Sequence, residues 1–67
     1  MVQAVLFEKD RYTIPEALAY LKKHSMHPIK APHVTSHYIR CRLEDPSIHS
    51  HFYTKDIGNG IKLVIGY

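Results

Sequence analysis

Apolar and polar residues follow different rhythms along this chain. Val2–Glu8 is a nearly unbroken apolar and β-branched run, which reads as a buried strand. Ile14, Ala17, Leu18 and Leu21 then recur at helical spacing and define one apolar face. Ahead of them, Thr13-Ile14-Pro15-Glu16 matches a capping box with Thr13 as N-cap and Glu16 at N3. Pro15 falls in the first turn, where no intrahelical N–H is lost. Lys22, Lys23 and His24 suit the negative end of the helix dipole, so the spacing predicts a helix from about Ile14 to His24. Pro28 and Pro32 stop its continuation, and Met26–Pro32 reads as a loop.

From Val34 to Leu43 the rhythm changes to strict alternation. Ile39, Cys41 and Leu43 point one way; Tyr38, Arg40 and Arg42 point the other. Asp45-Pro46-Ser47 predicts a short helix that turns Ile48 and Phe52 inward. Asp56–Gly60 has turn chemistry, and Asn59-Gly60 suits positive φ. Ile61–Ile65 alternates again.

The predicted order is β-α-β-(short α)-β, an α+β class domain spanning residues 1–67. Strands separated by helices imply some parallel or crossover pairing. The expected architecture is a three-stranded sheet with one main helix packed on one face. Tyr38, Arg40, Arg42, Lys62 and Val64 would lie on the other.

Sixty-seven residues allow one domain with a small core. The single cysteine, Cys41, excludes an internal disulfide and suits a reducing compartment. No apolar stretch approaches the roughly 20 residues a membrane helix requires, and no secretory leader is visible. The net charge of +3 leans basic, yet Lys22-Lys23 is the longest basic run. Committed nucleic-acid binders carry denser patches.

The second half carries a resemblance. Tyr38-Ile39-Arg40-Cys41-Arg42, Asp45-Pro46 with Ile48, Phe52-Tyr53-Thr54-Lys55 and Gly60-Ile61-Lys62-Leu63-Val64-Ile65-Gly66 together resemble a small domain of viruses and bacteriophages. Glu16-Ala17 followed by Leu21-Lys22-Lys23-His24 looks like the first half of the same pattern. Where that family often has an arginine before the threonine, this chain has Tyr53, which thins the basic cluster. The resemblance implies a viral or phage setting, in a virion or the host cytoplasm, and implies no activity.

Six histidines invite a metal reading. His33 and His37, on one extended strand, would sit ~13 Å apart, too far to share an ion. His24 and His27 could share one. No cysteine-based zinc motif forms, so no metal and no cofactor is expected. Ser36 and His37 are adjacent and point to opposite faces, and no spaced acid completes a triad. Gly58-Asn59-Gly60 is too short to cradle a phosphate. Cys41, facing inward, reads as a small hydrophobe. The expectation is a protein that is not an enzyme.

Arg40 and Arg42 project from one strand face about 7 Å apart, matching successive phosphates or paired carboxylates. Tyr38 adds a stacking surface, and Tyr53 and Lys55 would flank the group. The bland alternative is a solvated face whose arginines pair with Glu44 or Asp45. The leading expectation is a non-enzymatic virus- or phage-encoded interaction module, an accessory protein or minor virion component. It would dock a viral or host protein through this face. The alternative is a small basic nucleic-acid-binding protein using the same residues. No membrane partner is expected, and a homo-oligomer formed through a sheet edge is a third option.

Overall fold

A computed structural model describes all residues from Met1 to Tyr67. Its strands are β1 (Val2–Glu8), β2 (His33–Val34), β3 (Tyr38–Arg42), β4 (Phe52–Gly58) and β5 (Ile61–Gly66). One helix, α1 (Ile14–Lys23), and a 3-10 turn, Pro46–Ile48, complete the fold. The strands form one five-stranded sheet in the order β2-β3-β1-β5-β4, and every pairing is antiparallel.

This overturns the expected three-stranded sheet; of the parallel or crossover pairing expected, no pair is parallel, but β1 does pair with the non-consecutive strands β3 and β5. Two strands were hidden in the sequence. The alternating stretch from Val34 to Leu43 is not one strand but a hairpin. The Thr35 hydroxyl accepts from the Tyr38 amide and donates to the Tyr38 carbonyl, both at 3.0 Å. That local turn folds His33 against Arg40 and Val34 against Ile39. Likewise, Phe52 does not extend a short helix. It opens β4, which returns on β5 through the two-residue loop Asn59-Gly60. Both loop residues have positive φ, 57° and 78°, the type I′ geometry that Asn-Gly favours and that matches strand twist. Ile48, expected inward, is 63% exposed, and Phe52 is 44% exposed.

The helix forms where its periodicity places it. Thr13 caps it, accepting from the Glu16 amide while Glu16 accepts from the Thr13 amide, so the capping box is complete. Its end is set by Ser25 rather than by the later prolines. Ser25 adopts φ 57°, and the Met26 and Ser25 amides return to the carbonyls of Leu21 and Lys22. That is a Schellman closure with serine in the position glycine prefers. Of the four helical apolar residues, Ala17 and Leu21 are buried, whereas Ile14 and Leu18 are each more than a third exposed.

The core lies between α1 and one sheet face. Ala17 and Leu21 pack with Val5, Phe7, Ile39, Cys41 and Ile61. Phe7 is its centre, met edge-on by the rings of Tyr12 and Tyr20 at 5.4 and 5.5 Å. The Tyr12 hydroxyl donates to the Asn59 carbonyl at 2.9 Å, tying the helix entry to the β4–β5 hairpin.

The face away from the helix carries a second, smaller buried patch. Ala4 and Val64 are cross-strand partners there, and both are buried. Val64 was expected exposed. The segment after β3 folds over this end of the sheet. Amides of Leu43 and Glu44 donate to the Gln3 carbonyl, and the Gln3 side-chain amide donates to the Glu44 carbonyl at 2.8 Å. His49 then lies on Gly66, its Nε2 held 2.9 Å from the Glu44 carboxylate. Asp45 starts the 3-10 turn by accepting from the Ser47 amide, which holds its carboxyl below the usual range.

Candidate binding face

Directly opposed residues of an antiparallel pair share a face. The registers therefore build rows of side chains across the side of the sheet away from α1. One row runs His33, Arg40, Leu6, Lys62 and Asp56. The next runs Arg42, Ala4, Val64 and Thr54. Tyr38 opposes Glu8 at the end nearest the helix entry. Tyr38, Arg40 and Arg42 thus do stand together, all half-buried, on β3.

Tyr53 and Lys55 do not join them. They oppose Ile65 and Leu63, and Leu63 packs against the helix-side core. Their side chains leave the sheet on the opposite face. Their strand is also three strand spacings from β3, about 14 Å away. The five residues expected to act together are therefore two groups on two sides of the molecule.

Of the two lysines that could join the arginines, Lys55 and Lys62, it is Lys62 that shares their face. Lys62 reaches diagonally across β1, donating to the Tyr38 hydroxyl at 2.9 Å, with its ammonium 5.2 Å from the ring centroid. The hydrogen bond and the charge of Tyr38 raise the lysine above its ordinary pKa. The ammonium therefore sits at the hydroxyl end of Tyr38 rather than centred over its ring.

The arginines have no carboxylate partner. The ion pairs of the chain are Arg11 with Glu8 and His49 with Glu44. Glu44 is thus engaged with a histidine, and Asp45 is engaged with the Ser47 amide, so neither supplies the expected neutralising bridge. Arg42 still reaches Asp45 through space as a minor contributor to its lowered pKa. Arg40 is the sharper case, because its Nε is buried and has no hydrogen-bond acceptor. A buried donor left unpaired costs about 1–3 kcal/mol. His33 stands opposite Arg40 at one end of the row, and Asp56 stands opposite Lys62 at the other.

Beside this cluster Glu8, Asp10, His37 and Tyr38 line a shallow, mostly polar depression of about 280 Å³. No group of three or more His, Cys, Asp or Glu side chains converges at metal-binding range. Cys41 faces the core, and burial pushes its thiol pKa up. No helix is long and apolar enough to cross a membrane.

Comparison with known protein families, with curated proteins and with solved structures gives no match to this chain. The resemblance to the viral and phage domain therefore rests on the quoted residues alone.

Proposed function

We propose that this protein is a non-enzymatic interaction module that docks an acidic segment of a partner protein on the Tyr38, Arg40 and Arg42 face. The observation that carries the reading is Arg40, whose Nε is buried without an acceptor beside a second arginine that also lacks a carboxylate. Two guanidinium groups at strand spacing match paired carboxylates, and charge-assisted contacts of this kind are roughly twice as strong as neutral ones. Arginine and tyrosine are also the residue types most often dominant at interfaces. A viral or phage setting, as an accessory protein or minor virion component, is part of the same proposal.

Nucleic acid is the second reading, favoured by the +3 charge and by Lys62 in the arginine row.

Polarisation titrations with a labelled polyglutamate peptide and a labelled single-stranded oligonucleotide test the two readings together. The peptide should bind, and Arg40→Ala with Arg42→Ala should abolish binding while the circular-dichroism spectrum stays unchanged. Retained peptide binding by the double variant rejects this face. Tight oligonucleotide binding that falls steeply between two salt concentrations, with none to the peptide, transfers the conclusion to nucleic acid.

A further inference from the structure

We infer that β4 is a self-pairing edge, through which two copies of this chain join antiparallel into one continuous ten-stranded sheet. The surface is separate from the arginine face and does not depend on its role.

All seven residues of β4 are exposed, and the strand closes the sheet with no neighbour on its outer side. Phe52 and Tyr53 stand 44% and 52% exposed there, and Tyr53 meets the exposed ring of Tyr67 with centroids 6.0 Å apart. Unprotected edges usually carry a blunting device. Here the device is local. A register shift between Asp56 and Gly58 bulges the strand at Ile57 and leaves Phe52–Asp56 regular.

The hydrogen-bond phase says which groups are free. His51 and Tyr67 exchange both amide bonds, at 2.9 and 3.0 Å. In an antiparallel ladder bonded and non-bonded pairs alternate. Tyr53 and Lys55 therefore bond to β5, whereas Phe52, Thr54 and Asp56 turn their N–H and C=O groups outward.

A two-fold axis normal to the sheet can centre the pairing on only a few residues. Centred on Lys55 or Asp56, it sets like charges directly opposite each other. Centred on Tyr53, it pairs only Phe52–Thr54 within the regular run and leaves Lys55 and Asp56 to meet His51 and Ser50. Centred on Thr54, it uses the whole run Phe52–Asp56 and opposes no like charges. Thr54 then meets its own copy as a bonded pair. Lys55 meets Tyr53 of the other chain, twice, as a cation over an aromatic ring. Phe52 meets Asp56. Register, hydrogen-bond phase, charge and the position of the bulge all select the same centre.

Sedimentation equilibrium over a concentration series tests this, with the 7.8 kDa monomer mass as reference. The wild type should approach twice that mass as concentration rises. Thr54→Pro removes an outward N–H without touching the β4–β5 ladder, and should leave a folded monomer by circular dichroism. Tyr53→Glu places a carboxylate opposite Lys55 at both symmetric positions, two ion pairs replacing two cation–aromatic contacts, and should leave the dimer at least as tight. Tyr53→Lys should raise it. A concentration-independent wild-type monomer overturns the inference. So does a dimer indifferent to Thr54→Pro, or one weakened by Tyr53→Glu. Arg40→Ala with Arg42→Ala should leave the dimer intact.

Discussion

The ring of His49 occupies the space that a side chain at Gly66 would need. A Cβ built on Gly66 would stand 2.5 Å from the imidazole Cγ. The glycine is present for close approach rather than for backbone freedom, and the same histidine is fixed from its other side by Glu44. Gly66→Ala should therefore cost about 1–3 kcal/mol, the usual range for overpacking. His49→Ala should also destabilise, through the lost Glu44 bond and the lost cover over the sheet. The double variant should be much less unstable than the sum of the singles. Urea unfolding of all four proteins measures that coupling; strict additivity would show that the two residues do not press on each other.

Ser25 gives a prediction of opposite sign. It holds the left-handed conformation that closes α1, at φ 57°. Ser25→Gly removes the Cβ strain and should stabilise the protein by roughly 0.5–1 kcal/mol, net of the added freedom of the unfolded chain. Thermal unfolding should shift upward by a few degrees. An unchanged or lower midpoint would mean that the serine side chain offsets its own strain.

The Lys62–Tyr38 contact should appear in alkaline stability. Lys62 is raised above its ordinary value of 10.5, first by the hydrogen bond to Tyr38. A group whose pKa is raised on folding stabilises fully below its unfolded pKa and loses that contribution as pH rises through the folded value. Wild type should thus exceed Tyr38→Phe in stability near neutral pH, and the gap should close well above pH 10. Both sites are solvent-accessible, so the gap will be small. Paired melts across that window decide it, and a gap that grows with pH would contradict the contact.

Cys41 should resist alkylation. Its side chain is fully enclosed in the helix-side core, and burial raises its thiol pKa, so little thiolate exists at neutral pH and none is accessible. Iodoacetamide should label the protein in denaturant and not in buffer. Rapid native labelling would place the thiol at the surface.

What the sequence disclosed and what it hid have physical causes. The α1 start was legible because a capping box is a local signal, complete within four residues. The arginine face was legible because alternation fixes which side chains share a side, whatever strands lie next door. Strand number was not. Thr35 breaks an apparently continuous strand with one side-chain turn, and no periodicity reports that. Phe52–Gly58 alternates without a buried face, so it lacks the apolar signal by which strands are found. Asn59-Gly60 was the available clue, since that dipeptide marks a hairpin as well as a turn. Tyr53 and Lys55 were misplaced for the same reason, because their side follows from a ladder that sequence spacing alone does not show. His49 reads as one more surface histidine until Gly66 is seen beneath it.

The position of β1 reaches beyond the finished structure. The first strand of the chain is the central one, bonded to β3 on one side and β5 on the other. Val5 must wait for Cys41 and then for Leu63. Folding of this small protein is therefore governed by its most distant contacts, and high contact order slows folding even at modest length. Until β5 arrives, a β-branched apolar strand stands with open edges. The interval before closure is when its open strand edges are most exposed to aggregation.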